Sequence, residues 1–460
     1  MIAWWKKALE RFWGISAAAE IWFLRIMKTL DRLIASLRGC CQLLPDLRQG
    51  GGARYTMADI GLSAFSLFFM QSPSFLAHQR RLEEGQGRSN CQTLFGLDKI
   101  PSDNHVRALL DPVDPDHFHP VFAEVVAELE GSGSLKAFRQ LGGHLLIALD
   151  GTEYHVSSKV HCQQCSTRKR GKDKQGQDRS EHFHALVSAT VVAPDHNRVV
   201  PLEPEFIVPQ DGHEKQDCES RAVRRWLERH GRRYARLKPI YLGDDLFSRQ
   251  PVCEAVRAVD GHFLFVCKPS SHQTIEEYLT GIELPTVSRK VKRGRQRFDY
   301  RYRWLSDVPL RGDAEAMTVN WLMIEIVNAA GAVTYRNSFI TDLEVGPDTV
   351  VDLAACGRAR WKIENESFNV LKNNGYNLEH NFGHGKANLS AVFVSLNLLA
   401  FAFHSVCDLA EDLWQRAMEK MGARGQFFEN LRSITTFLIF PTWDDLLATL
   451  AFARPPPIAL

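Results

Sequence analysis

Three features of the chain predict a mixed α/β fold. Short apolar runs that end in an acid, "HLLIALD" (144–150) and "PIYLGD" (239–244), alternate with helical stretches. Residues 286–342 break that alternation with consecutive antiparallel-strand patterns and a glycine turn near Gly331. Helical periodicity fills both ends, before residue 140 and again from about Thr349. The expectation is a mixed sheet flanked by helices, with a β-rich insertion and helical N- and C-terminal regions.

At 460 residues the chain exceeds one simple core. The patterns divide it at 1–50, 51–143, 144–285, 286–343, 344–410 and 411–460, with "RQGGGAR" (48–54) as a glycine linker after the first helices. Hydrophobic residues make up 45% and charged residues 24%, the balance of a soluble globular protein. A net charge of +2 says little about partners, but the basic residues are clumped. The 10 cysteines lack the spacing of a disulfide framework, so a reduced, cytoplasmic setting is expected.

Two apolar stretches raise the question of a membrane. "LSAVFVSLNLLAFAFHSVCDL" (389–409) has spanning length, but Asn397, His404 and three serines interrupt it. A helix buried in the fold is expected there, with no membrane partner. The first forty residues set Trp4, Trp5, Phe12, Trp13, Trp22 and Phe23 against Lys6, Lys7, Arg11, Arg25 and Lys28. Glu10 and Glu20 break this stretch, which leaves docking helices for DNA or a partner, or a membrane-surface helix.

The segment "RARWKIENESFNVLK" (358–372) carries two glutamates on a helix. At about 100° per residue, Trp361, Phe368 and Leu371 fall within about 60° of Glu364, and Glu366 points about 160° away. Glu364 is thus predicted inside the apolar arc with Arg360 one turn before it. A buried carboxylate needs an ion pair or a metal. An Arg360–Glu364 pair at the edge of the core would satisfy it. Asp150 and Asp244 change the weighting, because both end sheet strands, where α/β proteins keep their sites. Two aspartates and a glutamate form an all-oxygen set suited to Mg²⁺ or Mn²⁺, and two such ions about 3.5–4 Å apart promote phosphodiester chemistry.

"LDGTEY", "YLGDDLF" and "RARWKIENESFNVLK" together resemble the three acidic motifs of DDE transposases of bacterial insertion sequences. The likeness is to the cut-and-paste branch with a β-rich insertion between the second aspartate and the glutamate, and it covers roughly residues 100–410. It implies an RNase H-like catalytic domain in two parts (144–285 and 344–410), a helical DNA-binding region (51–143), and two Mg²⁺ or Mn²⁺ ions. Asp150, Asp244 and Glu364 map to the catalytic, metal-holding acids, with Asp150 bridging both ions. Arg360 and Lys372 map to contacts with DNA phosphates. The implied partners are double-stranded element ends and target DNA, with a homodimer in the synaptic complex. Leu371 stands seven residues after Glu364, where many relatives have lysine, and Lys372 comes one later. Gly357 stands where they have tyrosine. Glu366, six residues before Lys372, therefore stays open as a second choice for the third acid. A nuclease without strand transfer and a non-catalytic DNA-binding relic are the competing functions.

A second metal signal is "HCQQC" (161–165), in which Cys162 and Cys165 have zinc-knuckle spacing and His182 and His184 follow in "EHFH". His161, His213 and Cys218 are rival ligands, and free thiols in a solvated hairpin are the alternative. His380 and His384 are expected to serve structure or touch DNA. Finally, "STRKRGKDK" (166–174), "RAVRRWLERHGRRYARLK" (221–238) and "RKVKRGRQRFDYRYR" (289–303) combine Lys and Arg with aromatics, as phosphate neutralisation requires. Tyr300, Tyr302 and Trp304 are candidates for stacking on a base.

Overall fold

The computed structural model describes residues 28–49, 53–75, 78, 89–172, 176, 178–209 and 217–452. The Trp-rich stretch from Trp4 to Phe23 lies outside them. The first described helix, α1 (Thr29–Gln42), turns Leu30, Leu33, Ile34, Leu37 and Cys41 inward at helical spacing. Its first turn is held by Glu411, whose Oε1 accepts from the Thr29 N–H at 2.8 Å. This end of the N-terminal region is therefore core scaffold rather than a free docking arm. Helices α2 (Met57–Phe69), α3 (Asn90–Phe95), α4 (Asp103–Leu110) and α5 (His119–Gly131) follow. Every residue of α2 is buried, and a Thr56–Asp59 capping box starts it.

The strands are β1 (Arg139–Gln140), β2 (His144–Ser157), β3 (Ser166–Lys172), β4 (Asp178–Ala193), β5 (His196–Pro201), β6 (Glu205–Ile207), β7 (Pro239–Gly243), β8 (His262–Val266), β9 (Thr286–Arg293), β10 (Gln296–Pro309), β11 (Thr318–Asn328) and β12 (Val333–Thr341). They form one sheet in the order β3-β4-β2-β7-β8-β12-β11-β10-β9, with β5 and β6 on β4 and β1 on β2. β2, β7 and β8 run parallel. Their apolar runs are buried on both faces, as central parallel strands require; Leu145 through Leu149 are each 0% exposed.

The β-rich insertion is not a separate layer. β12 pairs antiparallel with β8, Ile340 opposite Phe265, so β9–β12 extend the sheet of β2, β7 and β8 without a break. The predicted glycine turn joins β11 to β12, with Gly331 at φ 82°. Tyr300, Tyr302 and Trp304 point into this sheet's packed face and are 5%, 5% and 9% exposed, so they are core residues and not base-stacking platforms. Alternation along β10 puts all three on one side, and that side is covered by helix.

Helix α6 (Glu219–Trp226) packs on β2, β4 and β6, and α7 (Gln250–Arg257) packs on β8; α8 (Gln273–Leu279) lies on β10. After the insertion, α9 (Val350–Arg358) crosses β8, β10 and β11. The chain then winds as a π-helix over Ile363–Phe368, against β2, β4 and β5, and ends in α10 (Asn369–Asn373). Helices α11 (Leu389–Ala410), α12 (Asp412–Met421), α13 (Arg424–Phe437) and α14 (Trp443–Phe452) close the described chain.

Helix α11 is long and apolar enough to cross a membrane, but its most apolar window is 89% buried inside the fold, as the sequence predicted. Asn397, His404 and Ser405 of this helix make internal hydrogen bonds. Asn397 Nδ2 donates to the Tyr376 carbonyl at 2.9 Å, and Tyr376 Oη lies 2.6 Å from His404 Nδ1. His404 also stacks on Trp414 at 5.3 Å. Replacing Asn397 with Leu leaves a buried carbonyl unpaired and is expected to cost about 1–3 kcal/mol in urea unfolding, whereas Ser390→Ala at the half-buried start of α11 should cost less than about 0.5 kcal/mol.

Candidate active site

The site begins with a register. β2 and β7 pair in parallel, with Ala148 opposite Leu242 as the last pair. Two residues further along stand Asp150 and Asp244; Asp244 lies just past the end of β7, but Asp150 does not end its strand as the sequence suggested, because β2 runs on to Ser157 along β4. Gly243, just before Asp244, lets the chain turn here: a Cβ would meet Phe247 at 2.7 Å and Phe265 at 3.0 Å. Asp245 is used structurally, accepting from the Lys268 N–H at 2.6 Å and from Ser271 Oγ at 2.5 Å. Asp244 caps the same turn, its Oδ1 accepting from the Leu246 N–H at 2.9 Å, and its charge acts on Asp150.

The third acid arrives on the α9–α10 helix. Arg360 Nη1 lies 3.0 Å from Asp150 Oδ2, and Arg360 Nη2 lies 2.8 Å from Glu364 Oε1. One guanidinium thus bridges the strand acid and the helix acid. Burial pushes the Asp150 carboxyl up from its ordinary 3.8 to about 7; Arg360 opposes this, while the charges of Glu364 and Asp244 add to it. Asp150, Asp244 and Glu364 share one electrostatic environment.

The helical wheel was partly right. The buried stripe runs through Ala359, Arg360, Ile363, Ser367, Phe368 and Leu371. Glu364 sits at its edge, 38% exposed, rather than at its centre. Trp361, expected in the buried arc, is 50% exposed and packs its ring against Arg360. The π winding from Ile363 to Phe368 adds nearly a residue per turn, so azimuths computed at 100° do not hold there. Glu366 turns to a different hollow, lined with Asn197, Arg198, Asn374 and Asp408. Lys372 Nζ pairs with Glu379 at 2.8 Å, so its charge is taken by its own neighbourhood rather than by the acidic trio.

A fourth carboxylate escaped the sequence reading. Glu219, the first residue of α6, lies so close to β2 that a Cβ on Gly151 would fall 2.0 Å from its Oε1. Gly151 follows Asp150 and faces the opposite side of the sheet, so Glu219 reaches the strand end from the other face. Burial and the charges of Asp244 and Glu153 raise its carboxyl. The signal available in the sequence was the small residue of "LDGTEY", which only a close approach explains.

The basic runs divide. In the 221–238 run, Arg225 pairs with Glu205 and Asp217, Arg229 with Asp116 and Glu205, Arg233 with Glu203, and Arg236 with Glu130. These side chains lock α6 and its continuation to the sheet instead of offering charge to phosphates. Arg168 and Arg170 likewise share Glu181, and Arg168 also holds Glu153. The β9–β10 hairpin differs: Arg289, Lys290, Lys292, Arg293, Arg295 and Arg297 are all exposed at the sheet's far edge.

Cys162 and Cys165 come together with His184, as expected, but His182 does not join them. His182 stacks on His161 at 4.4 Å and faces Thr167 Oγ1 at 3.2 Å. The fourth member is His384, from the loop before α11. Cys218 is exposed at the start of α6, His380 is exposed beside Phe382, and His213 lies outside the described residues.

No protein-family model matches the chain, and no curated protein matches it.

The raised Asp150 carboxyl has a signed consequence. Its proton is favoured in the folded state, so the stabilisation is complete at pH below about 4 and is lost as pH rises through about 7. Metal-free protein should lose stability across that window, on the order of 3 kcal/mol, and Asp150→Asn should flatten the profile in denaturant melts at pH 5 and 8. Gly151→Ala, by displacing Glu219, should cost about 1–3 kcal/mol in the same assay.

Proposed function

We propose that the chain is a divalent-metal-dependent DNA transposase of the DDE type, cutting and rejoining phosphodiesters. The observation that carries the reading is the Arg360 guanidinium bridging Asp150 on β2 and Glu364 on a helix distant in sequence, with Asp244 near enough for its charge to act on Asp150. The sheet is compatible with an RNase H-like core: β4 runs antiparallel to both β5 and β2, and β2, β7 and β8 run parallel, with Asp244 just past the carboxyl end of β7 and Asp150 where the β2–β7 pairing has ended. The β-rich insertion falls between the second aspartate and the glutamate, as in the family the motifs resemble.

The donor set fits hard cations. Asp150, Asp244 and Glu364 offer only oxygens, and one bridging guanidinium is shared between Asp150 and Glu364. Mg²⁺ or Mn²⁺ held by Asp150, Asp244 and Glu364 would supply the Lewis acidity for activating water or a 3′-hydroxyl and for stabilising the leaving oxygen. The chain's own residues do the rest. Arg360 stands over Asp150 and orients both it and Glu364, and it is free to turn a face to a phosphate once cations take its place. Glu219 holds the β2–β7 strand ends from behind. The exposed hairpin of β9 and β10 gives the sheet a basic edge that suits duplex backbone, whereas Arg225, Arg229, Arg233 and Arg236 of the 221–238 run are held in internal ion pairs.

The test is a plasmid carrying the gene with its flanking DNA, incubated with the full chain and Mg²⁺. End cleavage and joining to a target are expected. Glu364→Gln and Asp244→Asn should each lower cleavage by about 10³-fold or more while leaving DNA binding intact, and Glu366→Gln should stay within about 3-fold of the parent. Cleavage that survives Glu364→Gln sinks the assignment. Cleavage without target joining supports a nuclease instead, and binding without cleavage a non-catalytic relic.

A further inference from the structure

We propose that Cys162, Cys165, His184 and His384 form a structural Zn²⁺ site that fastens the β2–β3 loop to the segment leading into α11. This inference stands apart from the catalytic reading, because it uses none of the acidic residues.

The four ligand atoms all lie within 4.8 Å of one another. Cys162 Sγ is 4.0 Å from Cys165 Sγ and 3.5 Å from His184 Nε2. Cys165 Sγ is 3.4 Å from His184 Nε2 and 3.5 Å from His384 Nε2. A tetrahedron with ordinary Zn–S and Zn–N bonds has S···S edges of about 3.8 Å and S···N edges of about 3.5 Å. The cluster is therefore already at the size of a four-coordinate zinc shell. Two sulfurs and two imidazoles select zinc over the hard cations suited to the acidic site. Two thiolates balance the charge of the ion, and four protein ligands leave no open position, which marks a structural rather than a catalytic centre.

The surroundings are those of a built site. Cys165, His184 and His384 are buried, and Cys162 is half-buried. The Gln164 backbone hydrogen-bonds the His184 ring, fixing its orientation, and Tyr154 stacks flat on the same ring at 5.4 Å. His155 covers the His384 ring at 4.3 Å. His384 is delivered by a loop that Asp111 holds, accepting from the Lys386, Ala387 and Leu389 N–H groups at 3.0–3.1 Å. Gly383 and Gly385, both at positive φ, let that loop turn tightly enough to aim the ring inward. The clamp joins parts of the chain 219 residues apart. It also roots the arginine-bearing β3, which starts at Ser166 directly after Cys165.

The experiment measures zinc in the purified full chain by mass spectrometry of the metal, beside Cys165→Ser, His384→Ala and His182→Ala. The parent is expected to hold about one equivalent. Cys165→Ser and His384→Ala should fall to about a tenth of that or less, and His182→Ala should keep it. Co²⁺ added to chelator-treated parent should give the visible absorption of a tetrahedral thiolate site, which decides the matter even if a variant fails to fold. Chelation should lower the melting temperature by at least about 5 °C, restored by Zn²⁺. A parent without zinc that also gives no Co²⁺ spectrum overturns the proposal. So does zinc lost from His182→Ala but kept by His384→Ala, or a Cys162–Cys165 disulfide in the reduced-handled protein.

Discussion

The parallel pairing of β2 with β7 is the constraint on which the rest depends. It sets Asp150 near Asp244 where that pairing ends, in a sheet whose central strands are buried on both faces. Burial there disfavours a bare charge on Asp150. The carboxyl of Asp150 answers by holding its proton to about 7. Arg360 relieves part of the repulsion by reaching both Asp150 and Glu364, yet its single charge is divided between them. A site in this condition gains from any added cation, which is why its chemistry and its electrostatics point the same way.

The elements around the acids exist to hold that geometry. Gly151 admits Glu219 from the far face, and the arginines of α6 and its continuation are consumed in fixing that helix to Glu203, Glu205 and Asp217. The α9–α10 helix spans the sheet from β11 to β5, so it links the insertion strands to the acidic strand ends. Its π turn is the adjustment that brings Arg360 and Glu364 to Asp150 while sending Glu366 elsewhere. Because the insertion continues the sheet, the basic β9–β10 edge is rigidly tied to the same frame.

β2 carries more than one task along its length. Its first half is core, Asp150 stands at the middle, and Tyr154 and His155 pack on the Cys/His cluster at its end. A clamp on that end would fix the strand against the helical half of the protein. The helical half is itself held by polar contacts inside an apolar core, through Tyr376, Asn397 and His404. Both devices use polar groups that a purely apolar reading would call misplaced, and the Cys/His cluster joins segments 219 residues apart.

The sequence by itself determined the mixed α/β class, the antiparallel insertion strands and the buried nature of α11. These are local patterns: apolar runs ending in an acid, period-two alternation, and polar residues spaced along a helix. Tertiary structure decided the rest. Glu219 could not be read because its role comes from approaching Gly151 across the sheet, and His384 because its partners lie 219 residues away. The arginines of the 221–238 run look like any basic run until their acidic partners, scattered from Asp116 to Asp217, are brought to them. Tyr300, Tyr302 and Trp304 look exposed beside so many charges, but strand alternation turns them inward while the lysines and arginines turn out. Spacing along a chain fixes which side chains can share a face; only the packing of strand on strand and helix on sheet fixes which of them meet.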